Sequence, residues 1–240
     1  MAAPSERAVR LQARLAGVAY LVTIVAGVFA EAVVRGSLVA WTDPARTAAN
    51  IMAAQPLYRA GGVADLAMLV AYLMVTALFQ QLFAVVDRSL SRLAAFVSLA
   101  GIAVLAADTL LHFAPLVLLD GAGAAGALPQ GQLAALALLS LKLHAVGYSI
   151  SIVFFGVYCL LLGALLLRAP FLPGGLGLLM GLAGAGYLAG ALSDLLAIPL
   201  PPVLAGKLML PGLLGEGALS LWLIFRGVDA PKWIDQQRGE

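Results

Sequence analysis

Residues 141–169 read LKLHAVGYSISIVFFGVYCLLLGALLLRA. This stretch is apolar for longer than the ~20 residues needed to cross a hydrocarbon core, which makes it a membrane helix. Lys142, His144 and Tyr148 are costly there unless they face one another, water or protein. How the helices cross the bilayer, and what their polar residues face, are therefore the two questions of the chain.

The rest of the 240 residues has the same character. Hydrophobic side chains make up 62% and charged ones 11%, against about 25% charged in a soluble domain. So little charge cannot cover a water-facing surface, and membrane lipid must be part of the solvent. The net charge of +2 is small and scattered, which excludes nucleic acid as a partner. Cys159 is the only cysteine, so no internal disulfide forms, and packing is its expected role.

Six runs are long enough to span: residues 13–34, 58–86, 93–119, 133–167, 176–198 and 203–225. The expected fold is all-α, a polytopic membrane helix bundle of six transmembrane helices forming one membrane domain over 1–240. The second and fourth runs exceed the bilayer and imply tilt or extension. DRSLSR, GAGAAGALPQGQ, PFLPGG and IPLPP punctuate the runs as turns. Arg7, Arg10 and Arg14 precede the first run and AEA follows it, as in a signal peptide, but the run is too long for one and is expected to stay as a span.

Nine basic residues fall on the side of the termini and four (Arg35, Arg46, Arg59, Lys207) on the other, which places both termini in the cytoplasm. The outer loop WTDPARTAANIMAAQPLY is expected to hold a short interfacial helix over 44–54, capped by Asp43 and begun by Pro44. A helix lying on the membrane is favoured there over a lid.

Depth follows at 1.5 Å per residue. Glu31, Asp65, Asp108, His112, Lys142, His144, Asp194 and Glu216 all fall within roughly the outer 20 Å, whereas the cytoplasmic half holds only hydroxyls, amides and rim arginines. Charges there are expected to face inward, so Lys142 and His144 are expected to line an interior polar pocket. Helical spacing puts Asp108 and His112 on one face of the third span, with Pro115 beyond them. It aligns His144, Tyr148 and Ser151 on the fourth span and Asp65, Tyr72 and Thr76 on the second. It also aligns Gly27, Glu31 and Arg35 on the first, and Gly212, Glu216 and Ser220 just past a kink expected at Pro211. Gly177, Gly181, Gly186 and Gly190 read as helix-packing positions. Glu31 can pair with Arg35, and Asp194 with Lys207. Asp108 and Glu216, the deepest, need Lys142, a protonated histidine, a bound cation or a proton of their own.

Several strings occur together and in order: ARLAGVAYLVTIVAGVFAE, AANI, YRAGGVADLAML, LHAVGYSISIVFFGVYCLLLG, FLPGGLG and GEGALSLWLIFRG. The chain thereby resembles the bacterial integral membrane family known as domain of unknown function 4386, over about Arg14 to Gly227. The resemblance implies a bacterial cytoplasmic (inner) membrane location. It puts Glu31, Asp65, His144, Tyr148 and Glu216 in recurring motifs, and finds Gly174 where a basic residue is expected. It implies no activity.

Three readings of function follow. The first is a pocket in the outer half of the bilayer binding a small polar or cationic ligand, with proton-coupled binding or transport. It uses Glu31, Asp65, Asp108, His112, Lys142, His144, Tyr148, Asp194 and Glu216 for ligand binding or proton handling. The second is an intramembrane metal-dependent hydrolase of a lipid-like substrate, with Asp108, His112 and His144 as ligands and Glu216 as base. No HExxH motif or third histidine supports it. A haem or quinone site on His112 and His144 is a variant, and no residue pattern specifies a cofactor. The third is a structural polar network that fixes helix register and binds nothing.

Overall fold

A computed structural model describes residues 5–120, 127–201, 203–204 and 207–239. Residues 121–126 of the GAGAAGALPQGQ turn and Pro202 of IPLPP lie outside the described residues. The described chain is helical: α1 (Glu6–Leu38), α2 (Pro44–Ala53), α3 (Gln55–Phe83), α4 (Arg88–Leu119), α5 (Gln130–Arg168), α6 (Gly174–Leu195), α7 (Leu210–Phe225) and α8 (Ala230–Arg238). Side chains set many of the starts. Ser5, Asp43, Asp87 and Asp229 accept the free amide of the first turn of α1, α2, α4 and α8, relieving the donors a helix N-terminus leaves unpaired.

Five helices (α1, α3, α4, α5 and α6) are long and apolar enough to cross a membrane. Their outward faces carry Val25, Val70, Phe96, Leu110, Val117 and Leu182, all exposed. So continuous an apolar exterior is stable only in lipid, and the chain is a multi-pass membrane protein. Helix α7 is shorter, at 16 residues. The sixth apolar run does not become helical at Val203; described residues 203–204 and 207–209 form turns, and the helix begins at Leu210. Pro211 lies in its first turn, where a missing N–H costs nothing, so it starts the helix instead of kinking it.

These five helices and α7 close a ring, each packed on the next in the order α1, α3, α4, α5, α6, α7 and back to α1. Glycines bring α5 and α6 together backbone to backbone: a Cβ on Gly163 would stand 2.9 Å from the Gly177 carbonyl, and one on Gly184 2.6 Å from that of Gly156. The two ends of the ring are filled differently. The α8 end is solid, packed with Tyr20, Phe79, Phe83, Leu162, Leu166 and Phe171. Trp233 of α8 tucks in beneath them and donates to the Leu82 carbonyl at 2.8 Å. At the other end α2 lies across α4 and α5 and buries Ile51 with Val34, Leu38, Leu116, Leu138 and Leu141. A cavity remains between these two cores.

Near that end α1 widens into a π-helical stretch, Phe29–Arg35. The extra residue per turn breaks the 3.6-residue register that the first span was read with. It aims Arg35 into the protein, where the residue is 3% exposed.

Candidate functional site

The cavity has a volume of about 520 Å³ and draws its walls from α1, α3, α4, α5, α6 and α7, with Trp41 from the loop. Most of the wall is apolar: Ile24, Val28, Met68, Leu105, Ile152 and Leu213.

Glu216 of α7 sits at the deep end. It is 6% exposed and receives the Tyr72 hydroxyl at 3.4 Å and the Cys159 thiol at 3.6 Å, both long contacts. Tyr20 and Tyr187 stand beside it. Gly212, one turn earlier, has no Cβ because the ring of Tyr187 occupies that space. Among the described residues no cation pairs with Glu216.

The opposite end is organised by Arg35. Its guanidinium grips Asp65 of α3 with two contacts, Nη1 to Oδ2 at 2.7 Å and Nη2 to Oδ1 at 3.1 Å, a bidentate geometry only arginine supplies. Nε reaches Glu31 at 2.6 Å. Nη1 also stands 3.2 Å from His112 Nδ1. A guanidinium can only donate, so Nδ1 accepts and the His112 proton resides on Nε2, which donates to the Tyr58 carbonyl at 3.1 Å. Tyr58 stacks on the imidazole, ring centres 4.4 Å apart, and its hydroxyl donates to the His112 carbonyl at 2.6 Å. Pro115 lies in α4 three residues beyond His112 and, having no N–H, leaves the Leu111 carbonyl next to it without its helical donor. Gly62 makes the arrangement fit, since a Cβ there would overlap Phe113 and His112.

The LHxxGY motif builds a third cluster between α4 and α5. His144 Nδ1 lies 2.7 Å from Asp108 Oδ2 and 3.3 Å from the carbonyl of the same residue, the carbonyl being the better aligned. Both neighbours are acceptors, so Nδ1 carries a proton, and among the described residues Nε2 is left without a partner. Gly147, on the same face, leaves room for the Asp108 carboxyl, which a Cβ would overlap. Tyr148, the next residue, turns to the cavity.

The nine residues singled out from the sequence therefore divide. Glu31, His144, Tyr148, Asp194 and Glu216 line the cavity. Asp65, Asp108 and His112 are buried in the ring behind it and are not among its lining residues. The expected convergence of Asp108, His112, His144 and Glu216 on one cavity is thus corrected: only His144 and Glu216 reach it, although the two imidazoles are 6.0 Å apart. Lys142 is also corrected. It is exposed on the outside of α5 and lines no pocket. Two residues before His144 is about 200° around a helix, and a lysine stem can run along lipid while its ammonium reaches the interface. Asp194 receives the Ser149 hydroxyl at 3.5 Å and, among the described residues, makes no ion pair with Lys207.

Sequence reasoning placed Arg35 at the rim as a partner of Glu31 alone, and missed Tyr58 and Tyr187. The paired glycines at 61–62 were the available signal, because each clears space for a neighbour: Gly61 for Val34, and Gly62 for Phe113 and His112. Both nitrogens of His112 are engaged, which removes it from a metal-binding set with Asp108 and His144 and from axial haem ligation. Among the described residues no three His, Cys, Asp or Glu side chains gather as a metal site needs.

No curated protein and no solved structure matches the chain. The model of a family described as a domain of unknown function, DUF4386, matches residues 15–227, nearly all of the ring. On that match, the chain belongs to the DUF4386 family.

Proposed function

We propose that the protein is a six-span component of a bacterial cytoplasmic membrane, with both termini inside, and that its cavity opens outward and binds a small polar or cationic molecule. The observation that carries this reading is Glu216: a buried carboxylate at the end of a cavity with no cationic partner among the described residues. A buried unpaired charge is costly enough that charge balance demands a proton or a cation there. Binding of a cation then displaces a proton, which couples the two.

The topology draws support from α7. It is about 24 Å long, and with the turn before it runs along α6 and α1 from the level of Gly186 to the α8 end. Gly186 abuts the Leu208 carbonyl, Ser220 donates to the Gly17 carbonyl at 2.8 Å, and the Asp229 amide donates to Phe171 at 3.1 Å. The excess of basic residues at the α8 end supports a cytoplasmic placement for that end. The solid core there favours binding, or transport by alternating access, over an open channel. A structural role suits Asp65 and His112, whose polar atoms are spent on Arg35 and Tyr58.

Thiol accessibility tests the pocket. Cys159 is 0% exposed, so the natural chain serves as the unreactive background. Leu213→Cys, in the cavity wall, is expected to react with a membrane-impermeant maleimide added outside the cell. Val70→Cys, on the lipid face, is expected not to react. An unreactive Leu213→Cys refutes an outward, water-filled pocket.

A further inference from the structure

We infer that the cavity takes an elongated dication, an α,ω-diamine or linear polyamine, with one ammonium at Glu216 and the other between Glu31 and Asp194. This deepens the pocket reading above and rests on it.

The cavity is acidic at both ends. Glu216 marks the deep end and lies level with Tyr72 and Tyr187. Glu31 and Asp194 mark the other, and the level of Glu31 is that of Asp65, since Arg35 bridges the two. Three helices measure the interval. Tyr72 and Asp65 are seven residues apart on α3, Tyr187 and Asp194 seven apart on α6, and Ser149 and Cys159, which contact Asp194 and Glu216, ten apart on α5. Together they give about 10–15 Å along the axis. Between these levels the wall is apolar, with Ile24, Met68, Ile152 and Leu213. A single small cation leaves one end unmatched. A molecule charged throughout leaves the apolar middle facing charge. Two ammonium groups joined by a methylene chain match the whole length.

Charge and donor balance agree. Among the described residues the only guanidinium on the wall is Arg35, and Asp65 and Glu31 use it up. Glu31 directs only Oε2 to it, and Asp194 has only a 3.5 Å hydroxyl contact. Four carboxylates (Glu31, Asp65, Asp194, Glu216) thus face one cation among the described residues, and of the three charges left unmatched a dication meets two and a monocation one. A further, independent observation points to a ligand at the outer level. His144 is 4% exposed and is among the cavity-lining residues, and among the described residues its Nε2 has no partner. With the proton on Nδ1, Nε2 is an acceptor, and an ammonium is the kind of donor that satisfies it. Tyr72 and Tyr187 beside Glu216, with Trp41 and Tyr148 on the wall, offer aromatic faces to the ammonium groups. At the ~1.2 Å advance per bond of an extended chain, an eight-carbon diamine sets its nitrogens about 11 Å apart, and a hydrogen bond of about 3 Å at each end spans the rest of the interval.

The test is calorimetric binding to the purified full-length protein in detergent, with 1,8-diaminooctane, octylamine, 1,4-diaminobutane and 1,8-octanediol as probes. The expected result is 1,8-diaminooctane binding at least tenfold tighter than octylamine or 1,4-diaminobutane, with the diol not binding. E31Q/D194N should reduce the diamine to the affinity of octylamine while leaving octylamine unchanged, and E216Q should weaken both amines. Glu31 and Asp194 are exposed, so the double variant is expected to keep the wild-type melting temperature, which is checked in parallel. Equal affinity for diamine and monoamine, or an E31Q/D194N variant that binds the diamine as the natural protein does, overturns the dication while the pocket reading stands. Failure of every amine, together with an unlabelled Leu213→Cys, overturns both.

Discussion

The pair of Arg35 and Asp65 invites a direct energetic test. Their side chains are 4% and 5% exposed, and they meet through two contacts at 2.7 and 3.1 Å. Removing one partner of such a pair strands the other as a buried charge, which costs about 3–5 kcal/mol. Replacing both by apolar residues removes the stranded charge as well, and such replacements are close to neutral. Arg35→Leu and Asp65→Leu alone are therefore each expected to lose about 3–5 kcal/mol, and the double variant much less than the sum. Arg35→Leu should be the worse of the two, because it also deprives Glu31 and His112 Nδ1 of their donor. The assay is reversible unfolding of the purified protein in mixed micelles against rising SDS, followed by far-ultraviolet circular dichroism. Additive losses in the double variant, or single losses below about 1 kcal/mol, would refute the buried bidentate pair as the organiser of this end.

Three further outcomes follow from packing and topology. Gly147→Val is expected to destabilise by about 1–3 kcal/mol through collision with the Asp108 carboxyl. Asp108→Ala should relieve part of that loss, and the same unfolding titration reads both. Trp233→Ala should cost about 3–5 kcal/mol and release α8, seen as faster proteolysis after Gly227, because the indole anchors that helix to Leu82; unchanged cleavage would mean the helix is held by other contacts. Reporter fusions after Asp120 and after Gly227 should lie on opposite sides of the membrane, and a common side would remove the six-span topology.

Membrane residence, helical class and family were legible in the residues, because composition and run length act locally and need no neighbour to be read. The spacing of Glu31 and Arg35 likewise announced their contact, since four residues on a helix face are adjacent whatever surrounds them. Periodicity tells which residues of one helix share a face. It does not tell which neighbour that face meets, nor how far the helix is turned. Those are set when six helices close a ring, and the site depends on them. Asp108 and His112 turned to packed interfaces and His144 to the cavity. Lys142, so close to His144 in sequence, turned to the outside. Arg35 became the hub of three residues, Glu31, Asp65 and His112, because a π-helical turn, invisible in an apolar run, shifted the register by which it had been placed. The start of α7 at Leu210 was likewise decided by the fold. Local hydropathy carries through residues 203–209, but described residues 207–209 form a turn against Gly186 and Gly190 of α6 instead of continuing as helix.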